Sequence, residues 1–180
     1  LLHLLRAHHV DLNSCMKVAA IQYHSVVDVP GVRTVVFVQG CPHRCKGCYS
    51  RALWDGAGGQ EMTVGEVLAA IGQGLARGDE GVTLTGGDPL AQPEEVAKVC
   101  VALRGAGVHI IVYTGFVYED LLQMQGRTPG VRTILQTADV LVDGPFILAQ
   151  RNERLPYRGS DNQRVIDLAA TRVRGEMVLL

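Results

Sequence analysis

From Met16 onward, apolar residues along this chain alternate between two rhythms. Thr34 to Val38 is an unbroken β-branched and aromatic run, which predicts a strand buried on both faces. Val18 to Ile21 reads as an earlier strand. Val64, Val67, Leu68, Ile71 and Leu75 recur at helical spacing. That helix is opened by Thr63 and Glu66, which fit a capping box: the threonine accepts from the third helical amide and the glutamate reaches back. Gly81 to Thr85 predicts a short strand. Pro93 opens a second helix with Glu94 and Glu95 in its first turn, where the helix dipole favours acids. Val96, Val99, Cys100 and Leu103 form its apolar stripe, and Gly105 or Gly107 ends it. A strand over Val108–Tyr113, a helix over Tyr118–Gln125 and a strand over Asp139–Asp143 follow.

Strands separated by helical stretches imply βαβ units, hence an α/β fold with a parallel sheet and right-handed crossovers. No repeat or low-complexity linker interrupts the 180 residues, which suit a single domain with a sizeable core. In parallel βα architectures, ligands gather at the carboxyl ends of the strands. The loop after Val38, Gly86-Gly87-Asp88-Pro89 after the next strand and Thr114-Gly115 after the one beyond all fall on that edge. A cofactor would sit there.

Charge and composition remove several classes of function. The net charge is −1, from 17 basic and 18 acidic side chains, so there is no electrostatic footprint for nucleic acid. Aromatics at 5% also argue against stacking platforms for single strands. No apolar run approaches the ~20 residues of a membrane helix, and no membrane partner is expected. Five clustered cysteines, an odd number, fit a reducing cytosol better than a secreted disulfide framework, so a cytoplasmic location is expected. The opening residues read differently from the rest. Leu1-Leu2-His3-Leu4-Leu5 is apolar but broken by Arg6, His8 and His9, too short for a signal-peptide core. Residues 1–15 are expected to be an N-terminal extension, disordered or ahead of a native start at Met16, with 16–180 forming the domain.

The chemistry is carried by Cys41-Pro42-His43-Arg44-Cys45-Lys46-Gly47-Cys48. The spacing Cys-x3-Cys-x2-Cys supplies three soft thiolates from one loop, with no obvious local fourth. A cubane iron–sulfur cluster held this way leaves one iron open to a ligand. A structural zinc would close its tetrahedron. Cys41, His43, Cys45 and Cys48 could do so in a zinc-binding interaction module, the alternative of a different class. That alternative needs ligands two residues apart in a tight loop and leaves Gly86-Gly87-Asp88 unexplained. Cys100, on the apolar helix stripe, is expected to act as a small hydrophobe. His24 and His109 are expected as hydrogen-bonded strand residues, and Trp54 as core.

The segments Val29–Arg33, Gly40–Tyr49 and Thr85–Leu90 resemble radical S-adenosylmethionine (SAM) enzymes, and more narrowly the small activating proteins of glycyl-radical enzymes. The stretches Val112–Phe116, Val140–Phe146 and Tyr157–Arg164 are similar to the activases of anaerobic ribonucleoside-triphosphate reductases. The resemblance implies an incomplete (β/α) barrel whose open side admits a protein substrate. It implies that Cys41, Cys45 and Cys48 ligate one [4Fe-4S] cluster, with the amino and carboxylate groups of SAM on the fourth iron. Reductive cleavage of SAM would give methionine and a 5′-deoxyadenosyl radical. That radical would take a hydrogen from a backbone glycine of the reductase large subunit, leaving a glycyl radical. The electron donor implied is a flavodoxin-like protein.

Gly86, Gly87 and Asp88 would meet the methionine end of SAM, and Gly47, Cys48 and Tyr49 the adenine end; no catalytic side chain beyond the cluster ligands is implied. An activase of the pyruvate formate-lyase type is the nearer alternative. Three departures from the family stand out: Gly47 replaces an aromatic, Asp88 replaces the wider family's glutamate, and Asp28-Val29 replaces Asn/Asp-Gly. For Arg33, facing a cofactor or partner and facing solvent both stay open. For Asn162, Gln163 and Arg164, so do partner docking and local capping.

Overall fold

A computed structural model describes residues 9–27 and 30–180. Seven strands form one mixed sheet in the order β3-β1-β2-β4-β5-β6-β7. They are β1 (Cys15–Ser25), β2 (Arg33–Val38), β3 (Gln60–Thr63), β4 (Gly81–Gly86), β5 (His109–Tyr113), β6 (Val140–Asp143) and β7 (Arg164–Asp167). Among the described residues the helices are α1 (Val64–Ala76), α2 (Pro93–Gly105), α3 (Tyr118–Met124), α4 (Pro129–Thr137) and α5 (Leu168–Arg174). β2, β4, β5 and β6 are parallel, the arrangement expected of the βαβ units. β1 pairs antiparallel with β2 and β3, and β7 antiparallel with β6. β1 contains the strand expected over Val18–Ile21, whereas β3, β7, α4 and α5 go beyond the elements expected from the sequence.

The local signals act as their chemistry requires. Thr63 Oγ1 accepts from the Glu66 amide at 3.1 Å, and Glu66 Oε2 accepts from the Thr63 amide at 2.7 Å, closing the capping box of α1. Pro93 occupies the first turn of α2 with Glu94 and Glu95 beside it. Alternation along the strands sends Val36, Val38, Val82, Leu84, Ile110, Val112, Leu141 and Ile166 into one core with α1 to α5. The opposite face carries a smaller cluster, Ile111, Val140, Val142 and Val165, with Tyr113 and Tyr157 against it and, among the described residues, no helical residue in it. The parallel strands are wound in one direction, so successive right-handed crossovers place their helices on one side.

Arg33 is neither solvated nor directed at a ligand. It is 3% exposed and donates to Thr83 Oγ1 at 2.9 Å, the Val82 carbonyl at 2.7 Å and the His109 carbonyl at 3.0 Å, stitching β2 to β4 and β5. Burial lowers its pKa to about 10. Cys100 is fully buried, and burial pushes its thiol up to about 12, as befits a core residue. His24 lies in β1 and pairs with Asp79 at 2.7 Å, while His109 opens β5. Trp54 is half-buried beneath the Arg51 guanidinium, 5.7 Å from its ring centre, rather than in the core.

Residues 1–8 of the expected extension lie outside the described residues. Of its remainder, Val10 and Leu12 pack against the core, and the Leu12 and Ser14 carbonyls accept from the Gly65 and Val64 amides at 2.9 and 2.8 Å. The boundary expected at Met16 therefore falls inside β1, in a segment tied to the start of α1. Among the described residues no helix is long and apolar enough to cross a membrane.

Candidate functional site

β2 delivers the chain through Gln39 and Gly40 into the cysteine loop. Gln39 is 4% exposed, and its side-chain amide donates to the Ala52 and Asp55 carbonyls at 3.1 and 2.8 Å. The returning chain is held by Gly40 donating to the Leu53 carbonyl and Cys41 to the Trp54 carbonyl, at 2.8 and 3.2 Å. Within the loop the Cys48 amide donates to the Cys45 carbonyl at 3.1 Å, and the Ser50 amide to Cys48 Sγ at 3.3 Å.

The end of β4 lies directly against this loop. The Gly87 amide donates to the Val38 carbonyl and the Asp88 amide to the Gly40 carbonyl, both at 2.8 Å. A side chain at residue 87 would place its Cβ 2.2 Å from the Gly40 oxygen, so only glycine allows the approach. Cys41, Cys45 and Cys48, all free thiols and half-buried, open onto one cavity of about 150 Å³. Its remaining walls come from His43, from the β4 end (Thr85, Gly87, Asp88), the β5 end (Tyr113, Thr114, Gly115) and the loops around β6 and β7 (Gly144, Phe146, Gln163). The three motif-bearing loops meet on the carboxyl edge of the sheet, as the strand order requires.

The donor set suits an iron–sulfur cluster. Among the described residues, no three His, Cys, Asp or Glu side chains converge on a point sized for one metal ion. Three cysteines on one cavity would hold three irons of a cubane cluster and leave the fourth without a protein ligand. His43, the fourth ligand of the zinc alternative, holds its Nε2 2.8 Å from Asp88 Oδ2, which leaves Nδ1 as its other ring nitrogen. Burial raises the Cys41 thiol above its ordinary value, with the His43 and Arg44 amides pulling the other way. A bound cation would complete its conversion to thiolate.

The other expected contacts divide. Gly87 and Asp88 line the cavity, whereas Gly86, Gly47 and Tyr49 do not. Asp88 is 1% exposed, and its carboxylate accepts from the Leu90 and Gly115 amides, Thr114 Oγ1 and His43, leaving it no open side for a ligand ammonium. A Cβ at residue 47 would come within 2.9 Å of Leu148 Cδ1, the end of a flexible side chain, and residue 47 has a φ of +80°, which favours glycine. Tyr49 is 79% exposed; its ring lies 5.2 Å from the Arg151 guanidinium, which also donates to its hydroxyl.

Asn162, Gln163 and Arg164 act locally. Asn162 donates to the Pro145 carbonyl at 2.7 Å and Gln163 to the Gly144 carbonyl at 2.9 Å, fastening the loop that follows β6. Arg164 bridges Glu119 on α3, at 2.7 Å, and Asp143 at the end of β6. Its hydrogen bonds hold the Glu119 carboxyl down at about 2. Thr114, placed on the cofactor edge by strand order, and Gln163, for which partner docking and local capping stayed open, are both walls of the cavity. For Gln163 the signal was membership of a stretch that carried the resemblance.

Residues 27–166 match the family described as 4Fe-4S single cluster domain. The anaerobic ribonucleoside-triphosphate reductase-activating protein of Enterobacteria phage T4 is 36% identical over 143 residues, covering 77% of this chain and 86% of that protein. The chain belongs to this family. A pyruvate formate-lyase-activating enzyme of Clostridium pasteurianum is 35% identical over 114 residues, 59% of this chain but 48% of that enzyme. Among solved structures, QueE from Escherichia coli aligns with a TM-score of 0.40 at 18% identity, covering 63% of this chain and 56% of that one. That likeness is too loose to bear on the fold.

Proposed function

We propose that this chain is a radical SAM activating enzyme that installs a glycyl radical on an anaerobic ribonucleoside-triphosphate reductase. The observation that carries the reading is the convergence of Cys41, Cys45 and Cys48 on one cavity at the carboxyl edge, in a chain of the activating-protein family. These thiols would hold one [4Fe-4S] cluster. When bound, the cluster supplies the electron that cleaves a carbon–sulfur bond of SAM.

The protein's own share is holding and exclusion. The β4 end, with its bare Gly87 backbone, gives the methionine end of SAM a close approach; Gly86 and Asp88 form the turn that presents it. The neighbourhood of Cys48, Gly47 and Tyr49 remains the proposed adenine side, without a stacking ring at residue 47. The helix-free face is read as the inner wall of an incomplete barrel, and its uncovered side as the entry for the reductase's glycine loop. A flavodoxin-like protein is the proposed electron donor, and the cytoplasm the proposed location.

Anaerobic reconstitution should give about four irons per chain with broad absorbance in the visible. Reduced holoprotein given SAM should release 5′-deoxyadenosine, and adding the reductase should produce a glycyl-radical signal by electron paramagnetic resonance. One zinc per chain and no colour would return the interaction module. A radical signal with pyruvate formate-lyase alone would transfer the reading to that class of activase.

A further inference from the structure

We propose that His43 and Asp88 form a clasp that positions the cysteine loop, so that Asp88 serves the cluster through His43 and not by touching SAM. The inference deepens the function proposed above and rests on it for the cluster alone. Its geometry stands without it.

His43 lies two residues from Cys41 and two from Cys45, at the midpoint of the longer arm between ligands. Its side chain leaves the loop and reaches the ends of β4 and β5. A carboxylate only accepts, so His43 Nε2 carries the hydrogen in the 2.8 Å contact with Asp88. The Phe116 ring packs edge-on to the imidazole, with centroids 4.5 Å apart at 74°. Gly115 presses its backbone against the same ring, where a Cβ would sit 2.4 Å from His43 Cδ2. The imidazole is therefore held on its polar edge and on two sides.

Asp88 is the other half of the clasp. Its donors come from three segments: His43 from the cysteine loop, Thr114 and Gly115 from the β5 loop, and Leu90 from its own turn. One buried carboxylate thus joins the loops that follow β2, β4 and β5. A carboxylate receiving this many hydrogen bonds is satisfied where it stands, and turning it toward an ammonium would strand several buried donors.

The clasp also bears on the cluster's electronic properties. The backbone amides of His43 and Arg44 favour the thiolate form of Cys41. Fixing the His43 side chain fixes the direction of that amide. Hydrogen bonds to ligand sulfurs stabilise the reduced, more negative cluster and raise its potential. Releasing His43 should lower it.

The test compares wild type, H43A, H43Q, D88N and H43A/D88N, with circular dichroism to establish that each folds. In iron-free protein, iodoacetamide should alkylate Cys41 and Cys45 several-fold faster in H43A and D88N than in wild type. In reconstituted protein, the midpoint potential followed by electron paramagnetic resonance should fall in both single variants, and the double variant should add little. H43Q, which keeps a donor, should stay near wild type in both measurements. If H43A takes up no iron, restoration by H43Q supports the clasp, and an equal failure of H43Q overturns it. The proposal is also overturned if D88N weakens SAM binding tenfold while H43A leaves alkylation, potential and SAM affinity unchanged. Wild-type protein that holds no cluster would sink the activase reading, while the alkylation rates would still decide the clasp.

Discussion

The two faces of the sheet are built on different terms. The helical face buries Val36, Val82, Leu84, Ile110 and Leu141 against Leu68, Ile71, Leu103 and Ile134, an apolar layer continuous across the five described helices. The other face spends buried positions on Arg33 and Thr83, and its apolar cluster has four buried members. At its carboxyl edge come the thiols, the Asp88 carboxylate and the glycines of close approach. The first face makes the fold stable; the second is shaped for something to be placed against it. The same strands serve both because successive side chains point to opposite sides.

That division can be broken or sharpened by substitution. The largest effect belongs to the chemical edge: C45A should lose the cluster and all SAM cleavage, while the iron-free protein unfolds in urea near the wild-type midpoint. Iron analysis and denaturation read the two halves separately. L68A, at a fully buried position of α1, should do the reverse, costing about 2–5 kcal/mol while the remaining folded protein still binds iron. R33M should cost about 1–3 kcal/mol, because Thr83 Oγ1 and two strand carbonyls lose a buried donor. A loss of that size on the helix-free face would show that its polar stitching also supports the sheet; no loss would confine stability to the helical side.

T63A, which removes the cap of α1, should cost about 1 kcal/mol in the same measurement. The smallest effect is in pH. Glu119 is held at about 2 by Arg164, below its ordinary 4.5, so its contribution is present above 4.5 and fades as pH falls toward 2. E119Q should flatten the acid limb of stability over that window, and an unchanged limb would mean the exposed pair contributes nothing.

The parallel strands were legible because β-branched runs such as Thr34–Val38 have few other uses, and α1 because its cap and stripe agree. β3, Gln60-Glu61-Met62-Thr63, was not legible: it is polar, half-exposed and specified only by its pairing with β1. β7 was visible as Arg164 within a motif but not as a strand, since its register is set by β6. The cysteines announced themselves by spacing. The link from His43 to Asp88 did not, because 45 residues separate the partners and only the sheet brings them together. Arg33, left open between a ligand-facing and a solvated role, was not legible for a related reason: its partners are the Thr83 hydroxyl and carbonyls of β4 and β5.

The strand order has one more consequence. β2, β4, β5, β6 and β7 lie side by side in the order in which they occur along the chain, and β3 joins at the far border beside β1. A polypeptide leaving the ribosome amino end first can therefore lay each new strand on one already in place. No gap has to be held open for a later arrival. The sheet can grow outward during synthesis, with the cysteine loop exposed at its rim from an early stage.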